Sequence, residues 1–357
     1  MSIGLYIHVP FCASKCAYCD FYSRVRRDQL PDYLMALHSE IESWHGKGVM
    51  ADTLFFGGGT PSLLPPEEIG RLIGRCREIF SLDGEITMEA NPDAVTSETL
   101  NGYRKAGVNR LSFGVQSAID SELKLLGRKH TFAQAEQAVR DARAAGFDNL
   151  TLDLMLGIPG QTAQSLQTTL ERVTALEPEH LSCYLLKIEE GTPFFKRHME
   201  TLCADEDETA DFYLTVAHYL KERGYRHYEI SNFALPGYES RHNLKYWRCQ
   251  DYLGFGPAAH SCFDGKRFYH PADLAAYIAD STPVEDGSSG SAEERIMLAL
   301  RLDEGISPDD LPDYDWNAFR KRCAPYLRAG LMEENGSAVR FTEEGFLLSN
   351  SLLTEIL

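Results

Sequence analysis

The segment Cys12-Ala-Ser-Lys-Cys16-Ala-Tyr-Cys19 places three cysteines within eight residues, directly after an apolar run at residues 3–9. Thiolates spaced four and three residues apart on one loop can converge on one metal centre, and three sulfurs suit three corners of a cubane iron-sulfur cluster. No fourth cysteine follows at short spacing, so one iron would have no protein ligand. An open coordination position is typical of a catalytic metal, whereas structural sites are closed. A structural zinc site or three unrelated thiols is the alternative, but no second ligand pair is evident.

An alternation of strand and helix patterns extends from this loop through the first two thirds of the chain. Runs of β-branched and aromatic residues predict strands at 3–9, 53–57, 85–90, 109–115, 150–156 and 180–186. Amphipathic stretches between them predict helices at 30–44, 66–80, 97–106, 132–145 and 163–176. Such alternation predicts an α/β fold with a parallel sheet, either open or rolled into a barrel. Functional residues then collect in the loops at the carboxyl ends of the strands.

The pattern changes after a further predicted helix at 205–223. Residues 231–264 are rich in aromatics, His and Gly, and residues 285–291 predict a flexible connector. Beyond it, helices at 292–302 and 316–329, a strand pair across Asn335-Gly336 and a last amphipathic helix from Thr342 are typical of a small winged-helix-like module. We therefore predict two domains, residues 1–230 and residues 231–357.

Composition narrows the function further. A net charge of −18 argues against a nucleic-acid partner, and the predicted second domain is acidic as well, with 12 Lys and Arg against 20 Asp and Glu. No apolar run approaches the roughly 20 residues of a membrane span, and the N-terminus has no basic leader or cleavage site. Of the nine cysteines, six are scattered, which indicates metal ligation in a reducing compartment rather than disulfides. We expect a cytoplasmic protein.

The cysteine motif, with Tyr6-Ile-His-Val-Pro-Phe before it and Asp20-Phe21 after it, resembles the radical S-adenosylmethionine superfamily. The resemblance implies that Cys12, Cys16 and Cys19 hold a [4Fe-4S] cluster. It implies further that S-adenosylmethionine binds the open iron, with Tyr6 and Tyr18 beside the cofactors. The protein then supplies position and excludes water or oxygen.

Further polar residues stand at the ends of the later strands. Gly57-Gly58-Gly59-Thr60-Pro61 ends the second strand and resembles the superfamily motif that meets the methionine amino group. Glycine there lets the backbone approach a ligand, although such a run alone is as often a turn. Carboxylates can accept hydrogen bonds from ribose or ammonium, and a guanidinium can pair with a carboxylate. The resemblance assigns such cofactor contacts to Gly58, Gly59, Thr60, Glu89, Gln116, Arg128 and Asp153, each of which, taken singly, is more often a loop cap or surface group.

The order of these residues resembles the HemN-like branch of the superfamily over nearly the whole chain. That resemblance implies a partial (β/α)6 barrel carrying the cluster and S-adenosylmethionine sites, followed by a smaller HemN-type module. In the branch's coproporphyrinogen III dehydrogenases, a further cysteine stands two residues beyond the third ligand. Here that position is Phe21, which argues against dehydrogenase activity.

The segment His242-Asn243-Leu-Lys-Tyr246-Trp247, at the predicted domain junction, resembles the HNxxYW motif of the haem chaperone family within the same branch. An imidazole is a good axial ligand for haem iron, so we expect His242 near or on the haem, with His260 and Cys249 as alternative ligands. The alternative for the motif is a hydrogen-bonded His and a packed aromatic core.

We therefore expect a haem chaperone that delivers haem to apoproteins, forms a cluster-dependent homodimer and has no catalytic residue that we assign. The alternative is a coproporphyrinogen III dehydrogenase or another anaerobic porphyrin-active enzyme.

Overall fold

The computed structural model describes residues 2–357, and twelve of its strands form one mixed sheet. Its centre is six parallel strands that lie side by side in chain order. They are β1 Ile3–Val9, β2 Ala51–Gly58, β3 Glu85–Ala90, β4 Arg110–Gln116, β5 Leu150–Leu156 and β6 His180–Leu185. Almost every residue of these strands is buried, as expected for parallel strands covered by crossover helices.

Helices connect the parallel strands, and two more follow the last of them. They are α1 Leu30–Glu42, α2 Pro66–Phe80, α3 Ser97–Ala106, α4 Asp120–Leu126, α5 Phe132–Ala144, α6 Ala163–Thr174, α7 Pro193–Lys196 and α8 Glu206–Lys221. Capping boxes fix the starts of α3, α5 and α6, where Thr96, Thr131 and Thr162 accept from the third helical amide. The predicted α/β fold with a parallel sheet is thus confirmed, with α4 and α7 as unpredicted helices.

Six further strands extend the sheet at both edges. Strands β7 Arg226–Glu229 and β8 Asn232–Ala234 are antiparallel and lie beside β6. On the other side β9 Tyr252–Phe255 runs parallel to β1, followed by the antiparallel β10 His260–Phe263, β11 Lys266–Tyr269 and β12 Val284–Ser288. The predicted flexible connector at 285–291 is therefore wrong for residues 285–288, because they form the exposed edge strand β12 through pairing with β11.

The C-terminal module has its own hydrophobic core, separate from that of the sheet. Its elements are α11 Ala292–Ala299, α12 Trp316–Arg328, β13 Met332–Asn335, β14 Ala338–Phe341, α13 Glu343–Leu347 and α14 Ser349–Ile356. The predicted strand pair turns at Gly336, whose φ is +65°, and the single last helix predicted from Thr342 is two helices. The domain division at residue 230 stays a prediction, and that residue lies between β7 and β8 of the sheet.

Two short helices, α9 Arg241–Trp247 and α10 Leu274–Ala279, lie between β8 and β12 in the chain. Helix α9 packs against β1 and β2, and α10 packs against α1. Within residues 2–357 no helix is long and apolar enough to cross a lipid bilayer.

Candidate cluster and cofactor site

The three motif cysteines lie on the loop that follows β1. Cys12, Cys16 and Cys19 are free thiols and line one cavity of about 560 Å³. The cavity lies at the carboxyl ends of the parallel strands, where the connecting loops converge. Eight of the ten predicted cofactor residues line the same cavity, and they are Tyr18, Gly58, Gly59, Thr60, Glu89, Gln116, Arg128 and Asp153.

Main-chain hydrogen bonds fix the cysteine loop at both of its ends. The Cys12 amide donates to the Arg24 carbonyl at 2.9 Å, so that residues 20–24 fold back beside the loop. The Ala17 amide donates to the carbonyl of Leu126, the last residue of α4, at 3.0 Å. These main-chain hydrogen bonds therefore hold the cysteine loop in its conformation.

Two side-chain donors lie next to the thiols. The Thr60 hydroxyl donates to Cys12 Sγ at 3.5 Å, and Arg128 Nη1 donates to Cys16 Sγ at 3.6 Å. Such donors stabilise a thiolate, which is the form that binds iron. Among the described residues 2–357, no three His, Cys, Asp or Glu side chains converge on the position of one metal ion. A cubane cluster fits this donor set, because each of the three thiolates would bind a different iron.

The glycine run after β2 is required by the close approach of the cysteine loop. The Gly59 amide donates to the Val9 carbonyl at 2.8 Å, and the Thr60 amide donates to the Phe11 carbonyl at 2.7 Å. A Cβ on Gly59 would stand 2.5 Å from the Phe11 oxygen, and Gly58 has a φ of +105°. The glycines therefore bring two loops together as well as lining the cavity.

Two carboxyl groups form the deep wall of the cavity. Glu89 Oε2 accepts from the Gly58 amide at 3.2 Å, and both Asp153 oxygens accept from the Ser112 hydroxyl at 3.1 Å. Burial, together with the charge of Asp153, raises the pKa of Glu89 to about 8. Burial raises the pKa of Asp153 to about 6. A cationic or hydroxyl-bearing ligand could donate hydrogen bonds to these two carboxyl groups.

Arg128 lies between the thiols and the strand ends. Its Nη2 donates to Asn91 Oδ1 at 2.7 Å and to the Gly114 carbonyl at 2.6 Å, while its buried Nε has no hydrogen-bond partner among residues 2–357. Gln116 is buried beside it at a φ of +68°. An unpaired guanidinium N–H in a cavity is a ready donor for a ligand carboxylate.

Tyr6 and His242 do not line the cluster cavity. They line a second, smaller space of about 170 Å³ inside the barrel, which we name the interior chamber. The interior chamber and the cluster cavity share a wall formed by Glu89, Ser112, Asp153 and Tyr184. The Tyr6 hydroxyl is hydrogen-bonded to His8 Nδ1 at 3.0 Å. Tyr6 therefore belongs to the barrel interior.

His242 lies on α9, which closes the amino ends of the strands, at the opposite end of the barrel from the cysteines. Its Nδ1 is 2.8 Å from Thr53 Oγ1 and its Nε2 is 2.6 Å from the Tyr246 hydroxyl. The ring stacks on Phe55, and Glu85 Oε1 accepts from the His242 amide at 3.1 Å. Burial lowers the pKa of His242 to about 3. Both of its nitrogens are engaged within the protein, and the expected position of His242 near or on the haem stays a prediction.

The two alternative haem ligands differ in exposure. His260 begins β10, is exposed and stacks on Tyr269 at 5.4 Å between ring centroids. Cys249 is half-buried, and burial raises the pKa of its thiol. Of the three candidates, only His260 has an exposed imidazole. It lies at the same end of the sheet as the cysteine loop, where the parallel strands have their carboxyl ends.

The interior chamber itself was not predicted from the sequence, although its lining residues Tyr6, Glu89, Asp153 and His242 were predicted as cofactor contacts. Arg110 and Ser112 on β4, Thr151 and Asp153 on β5, and His180, Ser182 and Tyr184 on β6 all line it. They stand at alternate positions within apolar strands. This alternation is the sequence signal that could have predicted the shared lining, because alternate strand residues point to the same face of a sheet.

Comparison with known proteins places these features in a family. Residues 6–173 match the Radical SAM superfamily, and residues 291–348 match the HemN C-terminal domain. The heme chaperone HemW of Lactococcus lactis is 32% identical, covering 99% of this chain and 96% of that protein. That of Escherichia coli is 36% identical, covering 98% and 97%. The chain belongs to the HemW family. The resemblance predicted from the cysteine and HNxxYW motifs is confirmed.

A solved structure shows the same fold across both domains. Escherichia coli coproporphyrinogen III oxidase (HemN), a radical SAM enzyme, superposes with a TM-score of 0.84 at 24% identity, covering 99% of this chain and 90% of that chain. HemW-family and HemN chains thus share an architecture, and the fold alone does not separate their activities.

Proposed function

We propose that this HemW-family protein binds haem and delivers it to apoproteins, and that it holds a [4Fe-4S] cluster through Cys12, Cys16 and Cys19. When bound, the cluster supplies an open iron to which S-adenosylmethionine can attach. In this proposal Arg128 pairs with the methionine carboxylate, and Glu89 and Asp153 accept from its ammonium or ribose groups. A cytoplasmic location and a cluster-dependent homodimer remain predictions from the sequence.

The observation that carries the haem proposal is the surface at the mouth of the cluster cavity. Phe21, which lines the cavity, is 71% exposed, and Val25 on the same segment is 52% exposed. Tyr184 and Leu185, which also line the cavity, are 42% and 38% exposed. A group of large exposed apolar side chains around one opening is typical of a binding surface.

The charge of this surface also fits haem, which has an apolar macrocycle and anionic propionates. Residues 15–28 contain four basic and two acidic side chains, in a chain whose net charge is −18. Arg24, Arg26 and Arg27 are exposed, and Arg26 also pairs with Asp28 at 3.1 Å. Local positive charge beside exposed apolar rings complements an amphiphilic anion.

The sizes of the two spaces restrict where a tetrapyrrole can bind. The interior chamber holds about 170 Å³, below the roughly 300 Å³ at which pockets for drug-sized ligands begin. The cluster cavity is larger, at about 560 Å³, so the proposal places haem at that cavity and its mouth.

The test is an anaerobic haem titration of the cluster-reconstituted protein, followed by transfer to apomyoglobin. We expect a saturable Soret shift that moves to the acceptor. Phe21→Asp should weaken haem binding about tenfold or more, since about 1.4 kcal/mol of apolar contact corresponds to tenfold. Met35→Asp, on an α1 residue that is 65% exposed outside the cavity, is the matched control.

Two results would contradict the proposal. One is the absence of saturable haem binding by the unaltered protein. The other is steady formation of protoporphyrinogen from coproporphyrinogen III with S-adenosylmethionine and a reductant, which would assign the chain to the dehydrogenases instead.

A further inference from the structure

The loop between α4 and α5 holds the end of strand β4 at the cluster cavity. We propose that His130, in this loop, is a positioning residue for S-adenosylmethionine, because it holds the main-chain turn that presents Gln116 to the cavity. The inference rests on the proposed function, in which S-adenosylmethionine binds in that cavity. His130 does not itself line the cavity, so it acts only through the turn.

Strand β4 contains an extra residue where it reaches the cavity. Gly114 pairs with Asp153 of β5. Gln116, two residues further on, pairs with the next residue of β5, so that Val115 is left between the two registered pairs. One extra residue in one strand is a β-bulge, and bulges next to functional sites redirect a side chain. The residue after this bulge is Gln116, which lines the cavity.

The bulge closes into a tight turn centred on Gln116. The Ser117 amide donates to the Val115 carbonyl at 2.9 Å, which makes a three-residue turn, and Gln116 at its centre has a φ of +68°. A γ-turn with a positive central φ is rare and strained, above all for a residue other than glycine. Such a conformation persists only where neighbouring groups hold it. The turn therefore needs support from outside β4.

His130 provides that support. Its Nε2 lies 3.2 Å from the Val115 carbonyl, and a carbonyl can only accept, so the ring carries its proton on Nε2 and donates. Burial, and then the charge of Arg128, lower the pKa of His130 to about 4, so the ring is neutral at physiological pH. The Val115 carbonyl thus accepts from the Ser117 amide and from His130, one bond for each lone pair.

The preceding carbonyl of the bulge is held from the same loop. Arg128 Nη2 donates to the Gly114 carbonyl at 2.6 Å. The loop is fixed at both ends, because the Arg128 amide donates to the Leu123 carbonyl of α4 at 2.9 Å and the Thr131 hydroxyl caps α5. Arg128 and His130 therefore hold two successive carbonyls of the bulge from one fixed loop.

The turn places the Gln116 side chain next to the Arg128 guanidinium. A Cβ on Gly114 would stand 3.0 Å from Gln116 Nε2 and 3.0 Å from Arg128 Nη2, so both donor groups lie over that glycine. Both residues line the cluster cavity, where one ligand can meet the amide and the guanidinium together. Without the hydrogen bond from His130 the strained turn relaxes, and the Gln116 amide leaves this position.

The experiment measures the S-adenosylmethionine affinity of the full-length, cluster-reconstituted protein by equilibrium dialysis. His130→Phe keeps a ring but has no donor, and we expect about tenfold weaker binding, as for loss of a buried hydrogen bond. The visible absorption of the cluster should not change. His130→Gln should retain most of the affinity, because glutamine Nε2 is as many bonds from Cβ as histidine Nε2. His130→Asn should bind as weakly as His130→Phe, since its amide nitrogen is one bond nearer to Cβ.

A double-substitution cycle tests whether His130 acts through Gln116. Gln116→Ala should weaken binding by itself, and the further change His130→Phe should then alter the affinity by about twofold or less. The matched control is His227→Phe. His227 is also a partly buried histidine whose Nε2 faces a main-chain carbonyl, that of Ile230 at 3.5 Å, but it lies outside the cavity. We expect His227→Phe to leave the affinity unchanged.

Three results would overturn the inference. They are an unchanged affinity in folded His130→Phe, an equal loss in His227→Phe, and a full tenfold further loss when His130→Phe is added to Gln116→Ala. If His130→Phe does not fold, His130→Gln and His130→Asn decide, because equal affinities of these two variants would also overturn it. Absence of S-adenosylmethionine binding by the unaltered protein would refute the cofactor assignment of the proposed function, and this inference with it. The two failures are thus distinguishable.

Discussion

The two ends of the barrel differ in whether their buried polar side chains find hydrogen-bond partners within the protein. At the carboxyl end, Arg128 keeps a buried N–H without a partner, and burial raises the pKa of Glu89 to about 8. At the amino end, both nitrogens of His242 are hydrogen-bonded, and Glu85 accepts from the amides of Arg241 and His242. Buried polar groups are normally satisfied, so an unsatisfied donor that lines a cavity is a candidate for ligand binding, whereas the satisfied His242 is accounted for by structure. The HNxxYW segment therefore closes the barrel in this conformation.

Cluster loss should be the largest effect at the carboxyl end. Cys19→Ser removes one of the three thiolates that line the cavity, and we expect nearly complete loss of the cluster's visible absorption after reconstitution. Cys203→Ser is the control, because Cys203 is half-buried and lies outside that cavity. A full cluster spectrum in Cys19→Ser would refute the ligand assignment.

Arg128→Lys should have the next largest effect. Lysine keeps the charge but loses the fork of donors, so S-adenosylmethionine affinity should fall roughly 10- to 100-fold, as for loss of a charged hydrogen bond. Equilibrium dialysis with the reconstituted protein measures it, and retention of the cluster spectrum shows that Cys16 still binds. An unchanged affinity would remove Arg128 from the S-adenosylmethionine site.

At the amino end, His242→Ala should reduce stability rather than abolish one binding step. It leaves a cavity and strips partners from Thr53 and Tyr246, so the free energy of unfolding should fall by about 2–4 kcal/mol. His260→Ala, at an exposed imidazole, should change it by about 0.5 kcal/mol or less. Urea unfolding of both variants measures the difference. Equal stabilities would contradict the closing role of α9, whereas loss of the haem Soret shift in His260→Ala would assign the iron ligand to His260.

Taken per pH unit, the smallest expected effect is a pH dependence of stability. The pKa of Glu89 rises from 4.5 to about 8 on folding, so the folded state binds more protons between those values. The associated stability is present below the unfolded pKa and is lost as the pH rises through about 8. The slope is at most about 1.4 kcal/mol per pH unit for one proton. Urea unfolding of the cluster-free protein from pH 5 to 8 measures it as the difference between the unaltered protein and Glu89→Gln, which should lose less stability as the pH rises, whereas the exposed Glu98→Gln should follow the unaltered protein. Identical profiles for Glu89→Gln and the unaltered protein would contradict the raised pKa.

Local sequence determined the parallel strands well. The strands at Ile3–Val9, Glu85–Ala90 and Leu150–Leu156 were predicted to the residue, because a buried parallel strand is an apolar run bounded by turn residues. Helix α4, with seven residues, was missed because it is too short to show a helical period. The edge strand β12 was mistaken for a connector because its stability depends on pairing with β11 and not on its own residues.

The sequence by itself determined the cysteine centre and its neighbours at the strand ends, because thiolate spacing is local and parallel strands bring their carboxyl ends to one edge. It also determined the family, through motifs read along the chain. Only the tertiary structure decided that His242 lies at the opposite end of the barrel, because α9 meets Thr53, 189 residues away in the chain. The same holds for the interior chamber: its polar groups alternate within separate strands, and their convergence depends on strand register and barrel curvature, which no single segment encodes.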